Sequence, residues 1–249
     1  AEGYSREAPD ENAEGMITWR YEADDDMAPY LFSVCVTPFE AHQKKTETGL
    51  LQLDFFDSGL GELMAPAQKY AALQPEMIAC FEKYLCPYPY RDSGSIVLSR
   101  SMGGALETQT RSTYDKDSVF ESVFAHELSH QWMGDLVSIA DWSDLWIKEG
   151  FAMYAQALWE RCTGHEEGYN KQIYSNYYSV VNSGLSTWNI NSYADSYLET
   201  ENADMDAPIL EAEPIKTQLE TICEITLSDE QKAEIDQATA DGPITGREF

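Results

Sequence analysis

A histidine pair four residues apart, with a glutamate directly after the first, constrains this chain more than any other feature. It lies in "FAHELSHQWMGDL", residues 124–136. Residues four apart on a helix differ by about 40° around its axis, so His126 and His130 project side by side. Their imidazoles could close on one metal ion at about 2.0–2.1 Å. Glu127, about 100° round from His126, cannot ligate with them and points instead toward where an activated water would sit. That is the layout of a general base beside a Lewis acid. The flanks favour a helix over roughly 118–134. Asp117 or Ser118 could cap its start, Val119, Phe120, Val123 and Phe124 supply apolar contacts, and Gly134 could end it.

Two histidines leave zinc under-coordinated, because a catalytic site needs a third protein ligand and an open fourth position. Glu149 answers that need. It follows His130 within "DLWIKEGFAMYAQALWE", whose spacing predicts a second amphipathic helix over roughly 143–163. Trp142, Leu145, Trp146, Ala152 and Leu158 form its apolar face. Two antiparallel helices joined near "VSIADWS" would carry Glu149 back over the histidine pair. Two imidazoles and one carboxylate make the hydrolytic zinc arrangement.

The rest of the chain must supply a scaffold, and at 249 residues it can bury a sizeable core. "YLFSVCVTPFE" and "LLQLDFF" read as strands. "PAQKYAALQPEMIACFEKYL" has helical spacing that Pro75 divides or kinks. "SIVLS" is a strand feeding the glycines of "SMGGALETQT". The tyrosine-rich "YNKQIYSNYYSVV" has helical spacing and reads as core packing or a cleft wall. "SDEQKAEIDQATA" opens with capping-box spacing at Ser228 and Gln231. His42 and His165 fall in polar stretches and are expected to be exposed loop residues. Three segments follow: 1–45 as a lead-in strand or remnant of an amino-terminal β domain, 46–200 as the catalytic domain, and 201–249 as an acidic tail.

Composition narrows the partners. With 44 acidic and 16 basic residues the net charge is −28, which repels nucleic acid and anionic lipid and attracts cationic ligands such as peptide amino termini. No run approaches the roughly 20 apolar residues of a membrane span. The start has no Met and no charged-then-apolar layout, so any targeting peptide is expected to be gone already, or the chain to be a piece of a longer one. Cys35, Cys80, Cys86, Cys162 and Cys223 form no CxxC pair. One or two disulfides are compatible with them, and the spacing does not say which. The compartment stays open, with secreted or periplasmic placement preferred to cytoplasmic.

"HELSHQWMGDLVSIADWSDLWIKEGFAMY" resembles the zinc aminopeptidases of the aminopeptidase N and leukotriene-hydrolase type, a gluzincin family whose signature is HExxH followed by a distal Glu. The agreement extends to the "HQW.GDLV" and "LW.KEGFA.Y" frames. Upstream, "GGALET" is similar to that family's exopeptidase motif, usually written GxMEN. The resemblance implies an α+β, thermolysin-like catalytic domain, with a small mixed sheet followed by a mainly helical half and "SMGGALE" near the sheet edge. It implies one zinc ion on His126, His130 and Glu149, with Glu127 as general base. It places Glu107 on the substrate's α-ammonium, and Gly104 and Ala105 against the peptide backbone. Trp132 and Trp146 read as packing residues. The expected substrates are peptides with a free amino terminus.

Three departures qualify that expectation. Family members run longer, with an amino-terminal β domain and a helical carboxy-terminal one. Leu106 and Thr108 replace the motif's Met and Asn, which bears on backbone register in the cleft. The family's oxyanion tyrosine, downstream of the third ligand, falls where this chain reads "PILEAEPI"; only Tyr193 and Tyr197 are near. Losing one oxyanion donor costs about 10²–10³ in kcat. Two other readings therefore stay open: a thermolysin-like endopeptidase, and a catalytically weak zinc-binding remnant acting as a structural or interaction module.

Overall fold

The computed structural model describes residues 25–182 together with a two-residue strand pair, β1 (Asp10–Glu11) antiparallel to β2 (Ile17–Thr18). The chain divides into two compact units. Residues 1–77 and 89–131 form the first, and residues 78–88 and 132–249 the second.

The first unit is built on a five-stranded mixed sheet. Its members are β3 (Phe39–Lys45), β4 (Leu51–Asp57), β5 (Asp92–Val97), β6 (Ala105–Leu106) and β7 (Arg111–Tyr114), in spatial order β3-β4-β5-β7-β6. The pair β3/β4 is antiparallel, β4/β5 and β5/β7 are parallel, and β7/β6 is antiparallel. Strand β3, "FEAHQKK", is exposed along almost its whole length, as suits a charged edge strand. Strand β4 lies inside the sheet and is buried on both faces, with Gln52, Asp54 and Asp57 buried among its apolar residues. Gly94 on β5 has φ +153°, and a Cβ there would stand 1.9 Å from the Leu53 carbonyl oxygen. Only glycine lets β5 approach β4 so closely.

Helix α1 (Met64–Ala72) packs on β4 and β5, burying Ala67 and Ala71. It ends before α2 (Gln74–Phe81), with Pro75 in the first turn of α2, where its missing N–H costs nothing. Helix α3 (Glu121–Ser129) packs against α1 and β6. Its anchor is Phe124, fully buried and stacked on Tyr114 at 3.9 Å between ring centroids. Burying such a side chain contributes roughly 1.5–3 kcal/mol.

The second unit contains α4 (Leu145–Cys162) and α5 (Glu166–Asn182), which pack on each other. A disulfide joins Cys80 to Cys162 with a Cα–Cα distance of 5.9 Å, the separation ordinary disulfides span. Trp132 packs edge-on against Phe81 and Tyr88, and its indole N–H donates to the Cys86 carbonyl at 2.8 Å. Among the described residues no helix is long and apolar enough to cross a membrane.

Several expectations are corrected. "YLFSVCV" is not a strand: Pro29–Leu31 is a single 3-10 turn, and Phe32, Val34 and Val36 are exposed. Their β propensity has no sheet to pack on, whereas the polar residues after Pro38 form β3 because β4 supplies a ladder. His42 accordingly sits on a strand rather than in a loop, although its side chain is exposed as expected. His165 lies exposed between α4 and α5. Helix α3 is shorter than 118–134 at both ends. Its N-cap is Phe120, which is exposed and has no side-chain acceptor to offer, while the Ser118 hydroxyl is engaged by Asp115 instead of capping the helix. Tyr174 of α5 is 66% exposed, so it is not core. The helix expected from Ser228, Cys223, and the segment 201–249 lie outside the described residues.

Candidate active site

Helix α3 brings His126 and His130 together as the four-residue spacing requires. Their Nε2 atoms lie 3.2 Å apart, with the rings at 78° to each other. Two nitrogens bound at about 2.0–2.1 Å to a tetrahedral ion would stand about 3.3 Å apart, so the pair fits one zinc ion without rearrangement. His130 is 1% exposed, while His126 is half-buried. The helix around them is held from the sheet, where Ser112 Oγ on β7 donates to the Glu127 carbonyl at 3.2 Å; within the helix, Ser129 Oγ donates to the His126 carbonyl at 2.8 Å.

Two carboxylates converge on the same place. Glu127 and Glu107 are both buried, and each offers an oxygen within 4.8 Å of the other's and of a ring nitrogen of His130. Tyr30, in the 3-10 turn before β3, donates its hydroxyl to Glu107 Oε1 at 3.4 Å. A cation stabilises two acids buried side by side, and a metal ion held by the neighbouring histidines would supply one. Burial, with the Glu127 charge added, also pushes the Tyr114 phenol well above its ordinary range and keeps it neutral.

Glu107 begins the turn between β6 and β7, and β6 is the edge strand of the sheet. Ala105 pairs with Tyr114 and Leu106 with Thr113, so the hairpin is regular through Leu106. Thr108 points into the turn, donating to the Arg111 carbonyl and lying 2.9 Å from Thr113 Oγ1. The preceding loop is held by one side chain. Asp115 Oδ2 accepts from the amides of Met102, Gly103 and Gly104 at 3.0, 3.2 and 2.9 Å. Gly103 and Gly104 have φ +99° and +139°, which lets consecutive N–H groups turn toward one acceptor. Asp115 Oδ1 accepts from Ser118 Oγ and the Asp117 amide. Burial alone would raise the Asp115 carboxyl, but these donors outweigh it and hold it down at about 2.

Glu149 lies in the second unit, in the first turns of α4, and accepts from Lys148 Nζ at 2.7 Å. Tyr193 and Tyr197 lie outside the described residues. Trp132 is 2% exposed and wholly engaged in packing, as expected. One contributor was not anticipated: Gln131, directly after His130, reaches into the Glu107 turn. The "HQW" frame holds it in plain view, but its role depends on a hydrogen bond to a residue 21 positions away.

Residues 70–206, more than half of the chain, match the peptidase family M1 domain, and the chain belongs to that family. It is 31% identical over 159 residues to aminopeptidase N of Canis lupus familiaris, an alignment covering 55% of this chain and 16% of that protein. It is 27% identical over 159 residues to endoplasmic reticulum aminopeptidase 1 of Homo sapiens, covering 58% and 17%. The chain thus spans less than a fifth of the length of these relatives. Among solved structures it resembles an M1 zinc metallopeptidase from Deinococcus radiodurans, in a variant bound to a Tyr-Ser-Ala substrate. That likeness has a TM-score of 0.55 and 25% identity, and covers 81% of this chain and 49% of that one.

Proposed function

We propose that this chain carries the catalytic centre of a zinc aminopeptidase that releases the amino-terminal residue of peptides. The observation that supports this most is the 3.2 Å approach of the two histidine Nε2 atoms beside the buried carboxylates of Glu127 and Glu107. His126 and His130, with Glu149 as third ligand, are the residues that would hold the ion. When bound, zinc supplies Lewis acidity toward the scissile carbonyl and lowers the pKa of water toward about 7. Glu127 takes a proton from water and delivers it to the leaving amine. Glu107 accepts hydrogen bonds from the substrate's α-ammonium, a charge-assisted contact in a dry setting. Gly104 and Ala105 present backbone groups to an extended peptide along the β6 edge. An ammonium held at Glu107, whose carboxylate lies within 4.8 Å of that of Glu127, would keep the amino terminus beside the general base, which favours an exopeptidase over the endopeptidase alternative. The Cys80–Cys162 disulfide supports an oxidising compartment.

Zinc content, together with hydrolysis of leucine- and alanine-nitroanilide, tests the reading on the wild type and Glu127→Gln. Equal zinc in both, with kcat lower in the variant by about 10²–10⁴, is the expected result. Zinc without turnover in either protein points to a metal-binding module. Absence of zinc from both would overturn the proposal.

A further inference from the structure

We infer that Gln131 is a positioning residue that fixes the amine anchor Glu107 relative to the metal-binding helix; this rests on the aminopeptidase reading above. The turn from Glu107 to Thr110 is at most 4% exposed at each residue, so its backbone polar groups need protein partners. Gln131, itself 1% exposed, supplies them. Its Oε1 accepts from the Thr110 amide at 2.7 Å, and its Nε2 donates to the carbonyls of Glu107 and Thr108 at 3.4 and 3.5 Å. Thr110 has φ +66°, a left-handed conformation that a β-branched residue adopts only under constraint. The constraint comes from the residue adjoining His130, so one short stretch of chain carries both a metal ligand and the clasp on the anchor turn. The distance between anchor and metal is thereby set locally, and that distance defines where the first peptide bond falls.

The test uses the full chain loaded with zinc and measures calorimetric binding of leucinamide against N-acetyl-leucinamide, which differ in the free ammonium. Glu107→Gln should abolish the wild type's preference for the amine. Gln131→Met, of similar volume but without an acceptor, should reduce that preference by about tenfold or more while zinc content stays unchanged. Gln131→Glu, which still accepts from the Thr110 amide but loses the two donations to the Glu107 and Thr108 carbonyls, should fall between Gln131→Met and the wild type, an ordering a merely space-filling role would not require. Retention of the full preference by Gln131→Met overturns the inference while leaving the aminopeptidase reading intact. If Gln131→Met does not fold, Gln131→Glu decides, and a preference unchanged from the wild type there overturns the inference. If neither the wild type nor Glu107→Gln distinguishes the two ligands, the aminopeptidase reading falls and this inference with it.

Discussion

His126 and His130 present their Nε2 atoms to each other at 3.2 Å, a separation imposed by one turn of α3 rather than by any contact between distant segments. Each imidazole is therefore pre-placed, and removing either should hurt metal binding far more than it hurts the fold. His126→Ala and His130→Ala should each weaken zinc by more than about a hundredfold, read by competition with a chromogenic chelator. Chelation of the wild type should lower its Tm, because an ion bound at a hundred times its dissociation constant contributes about 2.7 kcal/mol.

Asp115 should make the glycine loop acid-sensitive. Its folded pKa of about 2 lies below the ordinary value of 3.8, so its contribution is fully present above pH 3.8. It is lost as pH falls through about 2. Asp115→Ala should remove that dependence and lower stability at neutral pH, measured by urea unfolding across pH 2–7. Leucinamide binding should weaken with it.

Asp54 works in the opposite direction. Burial raises its carboxyl from 3.8 to about 6, against hydrogen bonds from Gln52 and Ser95 and the Lys44 charge. The folded state therefore holds this proton more tightly than the unfolded chain, and stability falls as pH rises from 3.8 through 6. Asp54→Asn, which still accepts from Gln52 Nε2, should stabilise the protein by about 1–3 kcal/mol at pH 8. The gain should vanish below pH 4.

The Cys80–Cys162 bond closes a loop of 82 residues. Replacing both cysteines with serine should cost about 2–4 kcal/mol, most of it through the freedom restored to the unfolded chain. Denaturant unfolding of the oxidised wild type and the double variant measures it.

The parts of this molecule that were legible from sequence are those whose signal is local. The histidine spacing, the break at Pro75 and the glycines before β6 each act within one turn of chain, and each lies where it was expected. What was missed depends on partners far away. "EAHQKK" has the composition of a loop and becomes β3 only because β4 lies beside it. "YLFSVCV" has the composition of a strand and stays out of the sheet. The start of α3 moved because Asp115 engaged Ser118, and that competition is invisible in a capping pattern. The site follows the same division: Glu107, Glu127 and the histidines are readable from their motifs, whereas Gln131 and Asp115 act on the motifs from outside them.

The single carboxylate that gathers the amides of Met102, Gly103 and Gly104 has a consequence for how this protein can change over evolutionary time. The loop's shape is held by main-chain groups, which nearly every residue type carries, and not by its own side chains. Outside the two glycines, positions 100–102 are then free to vary in size and charge without disturbing the path of the backbone into β6. Substitutions can therefore accumulate there one at a time while the main chain keeps its course into the sheet edge.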